Sequence, residues 1–253
     1  MKEMLLSLCA ACFTLGIAAQ TKEVKFSLLE TTDVHGNYLP YNFITGEEGT
    51  GSMARVYTYV KQLRQTEGKD HVVLLDNGDI LQGQPIAYYY NYMDTKSPHL
   101  CSAVLNYMQY DAGTVGNHDV ETGHAVYDRW VKQCKFPMLG ANVIVTKNEK
   151  PYWKPYTIIE RQGVKIAVLG MITPGIPMWL PENLWSGLRF DDMLQVAQRY
   201  MPEMRKKADI VVGLFHSGVG KDKGTPIAAE NASVAVAEKV PGFDIVFCGH
   251  DHR

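Results

Sequence analysis

Five histidines in this chain come directly after apolar, strand-like runs, together with carboxylates and an asparagine. The five polar endings are Asp33-Val34-His35, Gly78-Asp79, Gly116-Asn117-His118-Asp119, His216 and Gly249-His250-Asp251-His252. Five of the eight histidines lie at these endings, which makes chance a poor explanation. Because residues just past the carboxyl ends of strands converge on one edge of an open α/β sheet, these side chains are predicted to meet there.

Such a set of side chains predicts a metal centre rather than a covalent nucleophile. Each ending alone also fits a turn or a solvated loop, so the prediction depends on their conjunction. Unpaired, these imidazoles and carboxylates would be unfavourable to gather, and a pair of divalent cations compensates them. Mixed imidazole, carboxylate and amide ligands suit Zn, Mn or Fe(II). Two metals roughly 3.5–4 Å apart activate a water and clamp both oxygens of an in-line displacement. No serine or cysteine is arranged as a nucleophile, and Cys248 is interpreted as a buried strand residue.

The elements that must position these residues are strands alternating with helices. Continuous apolar runs predict strands beginning near Val24, His71, Asp111, Val164, Ala208 and Phe243. Helical spacing predicts helices from Met53 to Leu63, from an Asp191 N-cap to Lys207 with a kink or interruption at Pro202, and from Glu230 onward. Residues 36–51 and 173–187 are predicted to be long loops. With no internal repeat or low-complexity linker, the pattern indicates a single α/β domain.

Composition and the N-terminus limit the function classes. The 253 residues carry a net charge of -2, which provides no electrostatic basis for binding a nucleic-acid polymer or a membrane surface. Lys2 followed by a short apolar stretch ending in small residues predicts a signal peptide over residues 1–19. A retained anchor or a buried N-terminal segment is the alternative. The predicted mature protein is periplasmic or extracellular, and it keeps three cysteines, so at most one disulfide forms, for which Cys101 and Cys134 are the candidates.

The order of the five motifs resembles that of the calcineurin-like metallophosphoesterases. The segments ETTDVHGN, LLDNGDILQG, VGNHD, FPMLGANV and FCGHDH are similar to the 5'-nucleotidase family, especially to its 2',3'-cyclic-nucleotide 2'-phosphodiesterase/3'-nucleotidase branch. GDILQGQP lacks the Asp-Arg pair of the superfamily's protein phosphatases. The resemblance implies a four-layer α/β/β/α sandwich of mixed sheets over residues 24–253. It also leads us to expect that the family's C-terminal substrate-specificity domain is absent from this chain.

The resemblance further implies two ligand sets that share Asp79. One metal is expected to bind Asp33, His35, Asp79 and His252, and the other Asp79, Asn117, His216 and His250. His252 stands where some relatives have glutamine. Asn117 and His118 are expected to contact substrate, and His118 to stabilise charge on the phosphate in the transition state. Glu121, one methylene longer than the family's aspartate, is expected to orient His118, whereas Asp251 has no expected metal role.

The function predicted is that of a secreted dinuclear-metal phosphoesterase that hydrolyses nucleotide phosphoester bonds with a metal-activated water. Whether the substrate is a 5'-nucleotide, a 3'-nucleotide, a 2',3'-cyclic nucleotide or another phosphomonoester stays open, as does the oligomeric state. The alternative is a metal-loaded module that binds phosphorylated ligands without turnover.

Several aromatic and basic residues have two interpretations. YYYNYM, from Tyr88, could stack on a base, but a helix that buries two or three tyrosines is favoured. Trp179, Trp185 and Phe190 are predicted to form a hydrophobic cluster rather than a pocket wall. His71, His99 and His124 are predicted at the surface, and Lys221 and Lys223 in a solvated loop.

Overall fold

The structure is a computed structural model, and it describes residues 23–43, 45–220 and 230–252. The predicted signal peptide over residues 1–19, as well as Lys221 and Lys223, lies outside the described residues. Within the described ranges, no helix has both the length and the apolar character needed to cross a membrane.

Two four-stranded sheets form the centre of the described fold. The strands are β1 (Ser27–Thr31), β2 (Tyr41–Asn42), β3 (Glu47–Glu48), β4 (Val72–Asp76), β5 (Ala112–Thr114), β6 (Met138–Leu139), β7 (Val143–Val145), β8 (Lys150–Pro151), β9 (Tyr156–Arg161), β10 (Val164–Ile172), β11 (Leu188–Phe190), β12 (Ile210–His216) and β13 (Ile245–Cys248). The first sheet has the order β1-β4-β5-β6 and is parallel. The second has the order β13-β12-β10-β9, with β9 antiparallel. The strands β11-β7-β8 and β2-β3 form two small antiparallel sheets.

The two large sheets pack face to face through a core of branched aliphatic side chains. Val73 and Leu75 of β4 pack in one cluster with Val168 of β10 and Leu214 of β12, and all are fully buried. Strands covered on both faces bury consecutive residues, which is why every residue of β4 is buried. The six strands predicted from the apolar runs are therefore confirmed.

Helices cover the outer face of each sheet. They are α1 (Met53–Glu67), α2 (Pro85–Tyr88), α3 (Leu100–Met108), α4 (Asn117–Val120), α5 (His124–Gln133), α6 (Ile176–Trp179), α7 (Met193–Lys207) and α8 (Ser233–Lys239). Met53, Leu105 and Trp130, from α1, α3 and α5, belong to a core cluster with Leu74 of the first sheet. Val196 and Val236, from α7 and α8, pack with the second sheet. The described fold is thus the predicted α/β/β/α sandwich.

The helix starting near residue 191 differs in detail from the prediction. Its N-cap is Asp192 rather than Asp191, because the Asp192 carboxylate accepts a hydrogen bond from Gln195 N at 2.9 Å. Pro202 lies inside α7 without ending it. The two predicted loops contain short elements, namely β2 and β3 in the first, and α6 with a 3₁₀ turn over Glu182–Leu184 in the second.

His99 was wrongly predicted to be at the surface, and it is fully buried at the start of α3. Its Nε2 donates to Asn91 Oδ1 at 2.9 Å, and its Nδ1 accepts from Cys101 N at 3.2 Å. A buried imidazole with both nitrogens engaged is a satisfied core residue, which the sequence around it does not reveal. His71 and His124 are partly exposed.

The predicted disulfide between Cys101 and Cys134 is not formed. Both residues are free cysteines, Cys101 buried and Cys134 partly buried. Burial raises the pKa of each thiol, so both stay protonated near neutral pH. Cys248, which was interpreted as buried, is partly buried at the end of β13.

The YYYNYM segment does not bury its tyrosines as predicted. It comprises the end of α2 and a π-helical turn over Tyr89–Met93. Tyr88 is 60% exposed and Tyr92 46% exposed, whereas Asn91, and Ala87 just before the segment, are buried. The inward face of this segment is therefore small and polar, and the aromatic rings lie outside.

Candidate metal centre

The predicted site residues lie at the carboxyl ends of five parallel strands, three in one sheet and two in the other. Asp33 and His35 follow β1, Asp79 follows β4, and Asn117 begins α4 just after β5. His216 ends β12, and His250 and His252 follow β13. Because the strands of both sheets end at the same edge of the sandwich, their loops meet there.

Asp33, His35 and His252 form the first group, with one ligand atom from each lying within 4.8 Å of the others. His252 Nε2 lies 3.1 Å from His35 Nε2 and 3.3 Å from Asp33 Oδ1. Gln82 Oε1 lies 3.0 Å from His35 Nδ1. Since an amide oxygen only accepts, His35 Nδ1 carries the proton, and the Nε2 lone pair faces the centre of the group.

Asp79, His216 and His250 form the second group, again within 4.8 Å. His216 Nδ1 donates to the Asn77 carbonyl at 2.6 Å, which directs Nε2 toward Asp79 Oδ2 at 3.0 Å and Asn117 Oδ1 at 3.1 Å. His250 Nδ1 lies 2.8 Å from the same Asn117 oxygen. All four side chains of the predicted second ligand set are therefore together.

In His216 and His250, the ring nitrogen that points away from the group has an oxygen partner of its own. Glu230 Oε1 lies 3.2 Å from His250 Nε2, on the side away from Asn117. The Asn77 carbonyl serves His216 in the same way. Such partners set the tautomer and the ring orientation of histidines that bind metals, so the pattern fits a ligand role.

The electrostatics of the second group favour a cation. Burial raises the pKa of the Asp79 carboxyl, but the neighbouring His216 and His118 together outweigh burial, and the net pKa is lowered. Burial lowers the pKa of His216, yet the Asp79 and Asp33 carboxylates and the Asn77 carbonyl together outweigh burial and raise the pKa. The Asp79–His216 pair therefore favours a positive charge among its oxygen and nitrogen atoms. Ligand atoms of these two types suit divalent metals of intermediate softness. The residues present therefore fit the metal pair that the sequence predicts.

The backbone is strained at several of the site residues themselves. Among the described residues, eight non-glycine residues have a positive φ, and five are in the site: Asp33, His35, Asp79, His250 and His252. Each such conformation costs about 1–3 kcal/mol and persists only where surrounding contacts enforce it. Gly78, with φ of 82°, approaches Gly116 so closely that a Cβ would clash with its backbone.

Asp119 makes several of the contacts that hold this strained backbone, although the sequence analysis assigned it no role. Its buried carboxylate accepts from the backbone N–H groups of Asp79 at 2.8 Å, Ile80 at 3.0 Å, Leu81 at 2.9 Å and Gly116 at 2.8 Å. It therefore joins the loop after β4 to the loop after β5 and fixes the backbone of Asp79, whose carboxylate is grouped with His216 and His250 rather than with Asp33, His35 and His252.

His118 lies beside the metal groups, outside both of them. Glu121 Oε2 is 2.5 Å from His118 Nδ1, so the longer glutamate reaches the imidazole. The His118 ring centroid is 5.3 Å from that of His35, and both His118 and Glu121 are partly exposed. This arrangement leaves His118 Nε2 available to a ligand bound at the groups.

A cavity of about 660 Å³ opens next to His118 and Glu121, and its walls include Tyr88, Tyr92 and Trp179. The Trp179 ring stacks on His250, with centroids 5.6 Å apart and planes at 25°. The predicted hydrophobic cluster is thus wrong for Trp179, which is 41% exposed and forms a pocket wall. It is confirmed for Trp185 and Phe190, whose rings pack edge to face at 6.0 Å.

Some residues of the site were missed by sequence reasoning. Gln82 and Asp119 lie inside the motifs GDILQG and GNHD, so their position in those motifs was an available signal. Glu230 and Trp179 lie in no such motif, and they reach the site only through the fold. Asp251, expected to have no metal role, accepts a hydrogen bond from Val219 N at 3.1 Å.

Comparison with known proteins agrees with this geometry. The sequence profile described as calcineurin-like phosphoesterase matches residues 26–253. A 2',3'-cyclic-nucleotide 2'-phosphodiesterase/3'-nucleotidase of Haemophilus influenzae is 36% identical over 94% of this chain and 37% of its own length. The protein of the same name from Salmonella typhimurium is 34% identical over 97% of this chain and 39% of its own. The chain thus spans about two fifths of the length of these curated relatives. The crystal structure of the calcineurin-like phosphoesterase YfkN from Bacillus subtilis superposes with a TM-score of 0.81 at 31% identity, over 91% of this chain and 73% of that one.

Proposed function

The chain belongs to the calcineurin-like phosphoesterase family, and we propose that it hydrolyses nucleotide phosphoester bonds with two divalent metal ions bound at the shared sheet edge. The observation that carries this proposal is the convergence of two nitrogen- and oxygen-bearing groups at one edge of the sandwich. The names of the relatives support cyclic nucleotides and 3'-nucleotides as substrates, and 5'-nucleotides stay within the proposal.

Each group would hold one ion. Asp33, His35 and His252 would bind the first, and Asn117, His216 and His250 the second. Asp79, which lies in the second group, would bind both ions, as the family resemblance implies. When bound, the ions would supply an activated water and neutralise charge on the phosphoryl group.

His118 acts on the substrate rather than on the metals in this proposal. With Glu121 at Nδ1, the ring is held so that its Nε2 edge can face a phosphoryl oxygen, to which a proton at Nε2 would be donated as a hydrogen bond. That bond strengthens as negative charge develops on the oxygen in the transition state. Glu121 is then a positioning residue, which keeps the His118 ring oriented.

Substitution of Asp79 tests the catalytic proposal. Asp79→Asn preserves the shape of the side chain but removes the charge shared by the two ions, so hydrolysis of bis-p-nitrophenyl phosphate with Mn²⁺ should fall by about 100-fold or more. Activity within about tenfold of wild type would contradict the mechanism. Tyr59→Ala, at an exposed residue of α1, provides the matched control, and metal analysis of both variants measures ion stoichiometry.

The alternative, a module that binds phosphorylated ligands without turnover, is tested by the same assay on the wild-type chain. A wild-type chain that binds two ions and inorganic phosphate, yet releases no p-nitrophenol with any divalent metal, would replace the enzyme proposal with the binding one.

We also propose that the mature protein is exported and that residues 1–19 are removed. Sequencing of the N-terminus after expression in a Gram-negative host should begin near Gln20 in the periplasmic fraction. An intact N-terminus in the cytoplasmic fraction would contradict export.

A further inference from the structure

We infer that Glu230 is a positioning residue of the second metal group: through its contact with His250, it sets how tightly that group holds its ion. This inference rests on the proposed function, since it concerns one of the two ions that the proposed mechanism requires. It starts from a carboxylate placed at the outward ring nitrogen of an expected ligand, with Glu230 Oε1 lying 3.2 Å from His250 Nε2.

The Glu230 carboxylate fixes the tautomer of His250. Because an ionised carboxylate only accepts hydrogen bonds, His250 Nε2 carries a proton, and Nδ1 is the nitrogen whose lone pair can bind a metal. That Nδ1 lies 2.8 Å from Asn117 Oδ1. His216 Nε2 lies 3.1 Å from the same oxygen, and its ring donates at the other nitrogen to the Asn77 carbonyl. Lone pairs from three side chains therefore meet in one small region, an arrangement that a cation stabilises.

The outward partner of His250 differs in charge from those of His35 and His216. His35 Nδ1 faces the neutral amide of Gln82, and His216 Nδ1 faces a backbone carbonyl. Hydrogen bonds to a charged group are roughly twice as strong as those between neutral groups. A carboxylate at the outward nitrogen also makes an imidazole a more basic metal ligand. Glu230 therefore adds negative charge to the second group from outside the expected ligand set.

Buried hydrogen bonds hold the Glu230 backbone in place. Ser217, which is fully buried and follows His216 in the chain, donates from Oγ to the Glu230 carbonyl at 2.6 Å. The same Oγ accepts from Ala232 N at 2.9 Å, and the Ser217 carbonyl accepts from Ser233 Oγ at 2.7 Å. The segment that carries Glu230 is thus tied to the strand end that carries His216, a ligand of the same group.

The His250 ring depends on support from outside its own loop. Its backbone φ is 82°, and its N–H donates to the Asp33 carboxylate of the first group at 3.0 Å. The Trp179 ring stacks on the imidazole face, and Glu230 contacts its edge. The His250 and Glu230 side chains are only 13% and 25% exposed, so their charged hydrogen bond is partly shielded from water and keeps more of its strength.

Mn²⁺ titration of the metal-free chain tests the inference without a substrate. After EDTA treatment and dialysis, calorimetric titration gives a Kd for each ion. Glu230→Gln keeps the length of the side chain and an oxygen acceptor but removes the charge. We expect it to raise the Kd of one ion by about 10–100-fold and to leave the other within about twofold of wild type. Glu230→Ala, which also removes the acceptor, should weaken the same ion at least as much.

Two further variants control for a general defect and identify the ion. Glu238→Gln, at an exposed glutamate of α8, is the matched control and should bind both ions as wild type does. His252→Ala removes an expected ligand of the first ion, so Glu230→Gln added to it should weaken the ion that is still held tightly. An unchanged Kd for that ion would overturn the inference. So would unchanged constants in both Glu230 variants, or an equal loss of affinity for both ions.

Turnover reports separately on the proposed function. Selective weakening of one ion by Glu230→Gln, in a chain that hydrolyses no phosphoester, would keep the positioning role and reject the enzyme. Mn²⁺-dependent hydrolysis of bis-p-nitrophenyl phosphate by wild type and by both Glu230 variants, with unchanged Kd values, would keep the enzyme and reject the positioning role.

Discussion

Mild acid should destabilise this protein through one buried histidine, His99. Its Nδ1 faces the N–H donor of Cys101, and its Nε2 donates to Asn91. Protonation would place a second donor against the Cys101 N–H, in a buried position. Burial, with a smaller contribution from Arg129 nearby, accordingly lowers the pKa of His99 to about 4.

The pKa difference sets the size of the effect. In the unfolded chain the imidazole titrates near 6.5, so between pH 6.5 and 4 the unfolded state binds the proton and the folded state does not. Stability is therefore retained above pH 6.5 and lost as the pH falls through this window. Between pH 7 and pH 5, the contribution of this one group to the free energy of unfolding falls by about 2 kcal/mol.

Urea denaturation of wild type and His99→Gln at pH 7 and pH 5 measures this contribution. EDTA is present throughout, so that metal binding does not add to the pH dependence. Glutamine cannot be protonated, so the variant should lose about 2 kcal/mol less than wild type between the two pH values, whatever its absolute stability. His71→Gln, at a partly exposed histidine, controls for loss of an imidazole. Equal pH dependence in wild type and His99→Gln would refute the reasoning.

Three further predictions concern the site and its support. Glu121→Gln keeps a hydrogen-bond acceptor for His118 but removes the charge, so kcat should fall about tenfold or more with little change in KM, and an unchanged kcat would reject the positioning role. Removal of divalent ions with EDTA should abolish hydrolysis and lower Tm, and Mn²⁺ should restore both; calorimetry showing the same Tm with and without Mn²⁺ would contradict a bound metal pair. The Asn142 amide, just before β7, accepts from Ile172 N of β10 at 3.0 Å and donates to Ile172 O at 2.7 Å, and Asn142→Ala removes both hydrogen bonds. It should destabilise the fold by about 2–3 kcal/mol in urea denaturation, and a loss below about 0.5 kcal/mol would show that another group takes over these bonds.

The long strands were predictable because burial on both faces leaves a continuous apolar run. β4 and β12 carry that signature, and so does β10. The assignment of strands to two separate sheets carries no such local signal, since strands of either sheet show the same apolar composition. The strands β6, β7 and β8, of two or three residues each, are too short to produce any periodicity. The resemblance to a family supplied the second sheet, which residue patterns alone did not.

The convergence of the ligand side chains was predictable for a different reason: a residue that ends a parallel strand has its position set by the topology of the sheet. The aromatic wall had no such constraint. In YYYNYM, the residue that is buried is Asn91 rather than a larger ring, because Asn91 can satisfy both Leu81 and His99 in the interior. Hydrophobicity alone favours burying tyrosines, and here a buried hydrogen-bond network outweighs it. Local rules of this kind fail where a polar side chain makes more interior hydrogen bonds than a larger apolar ring beside it could.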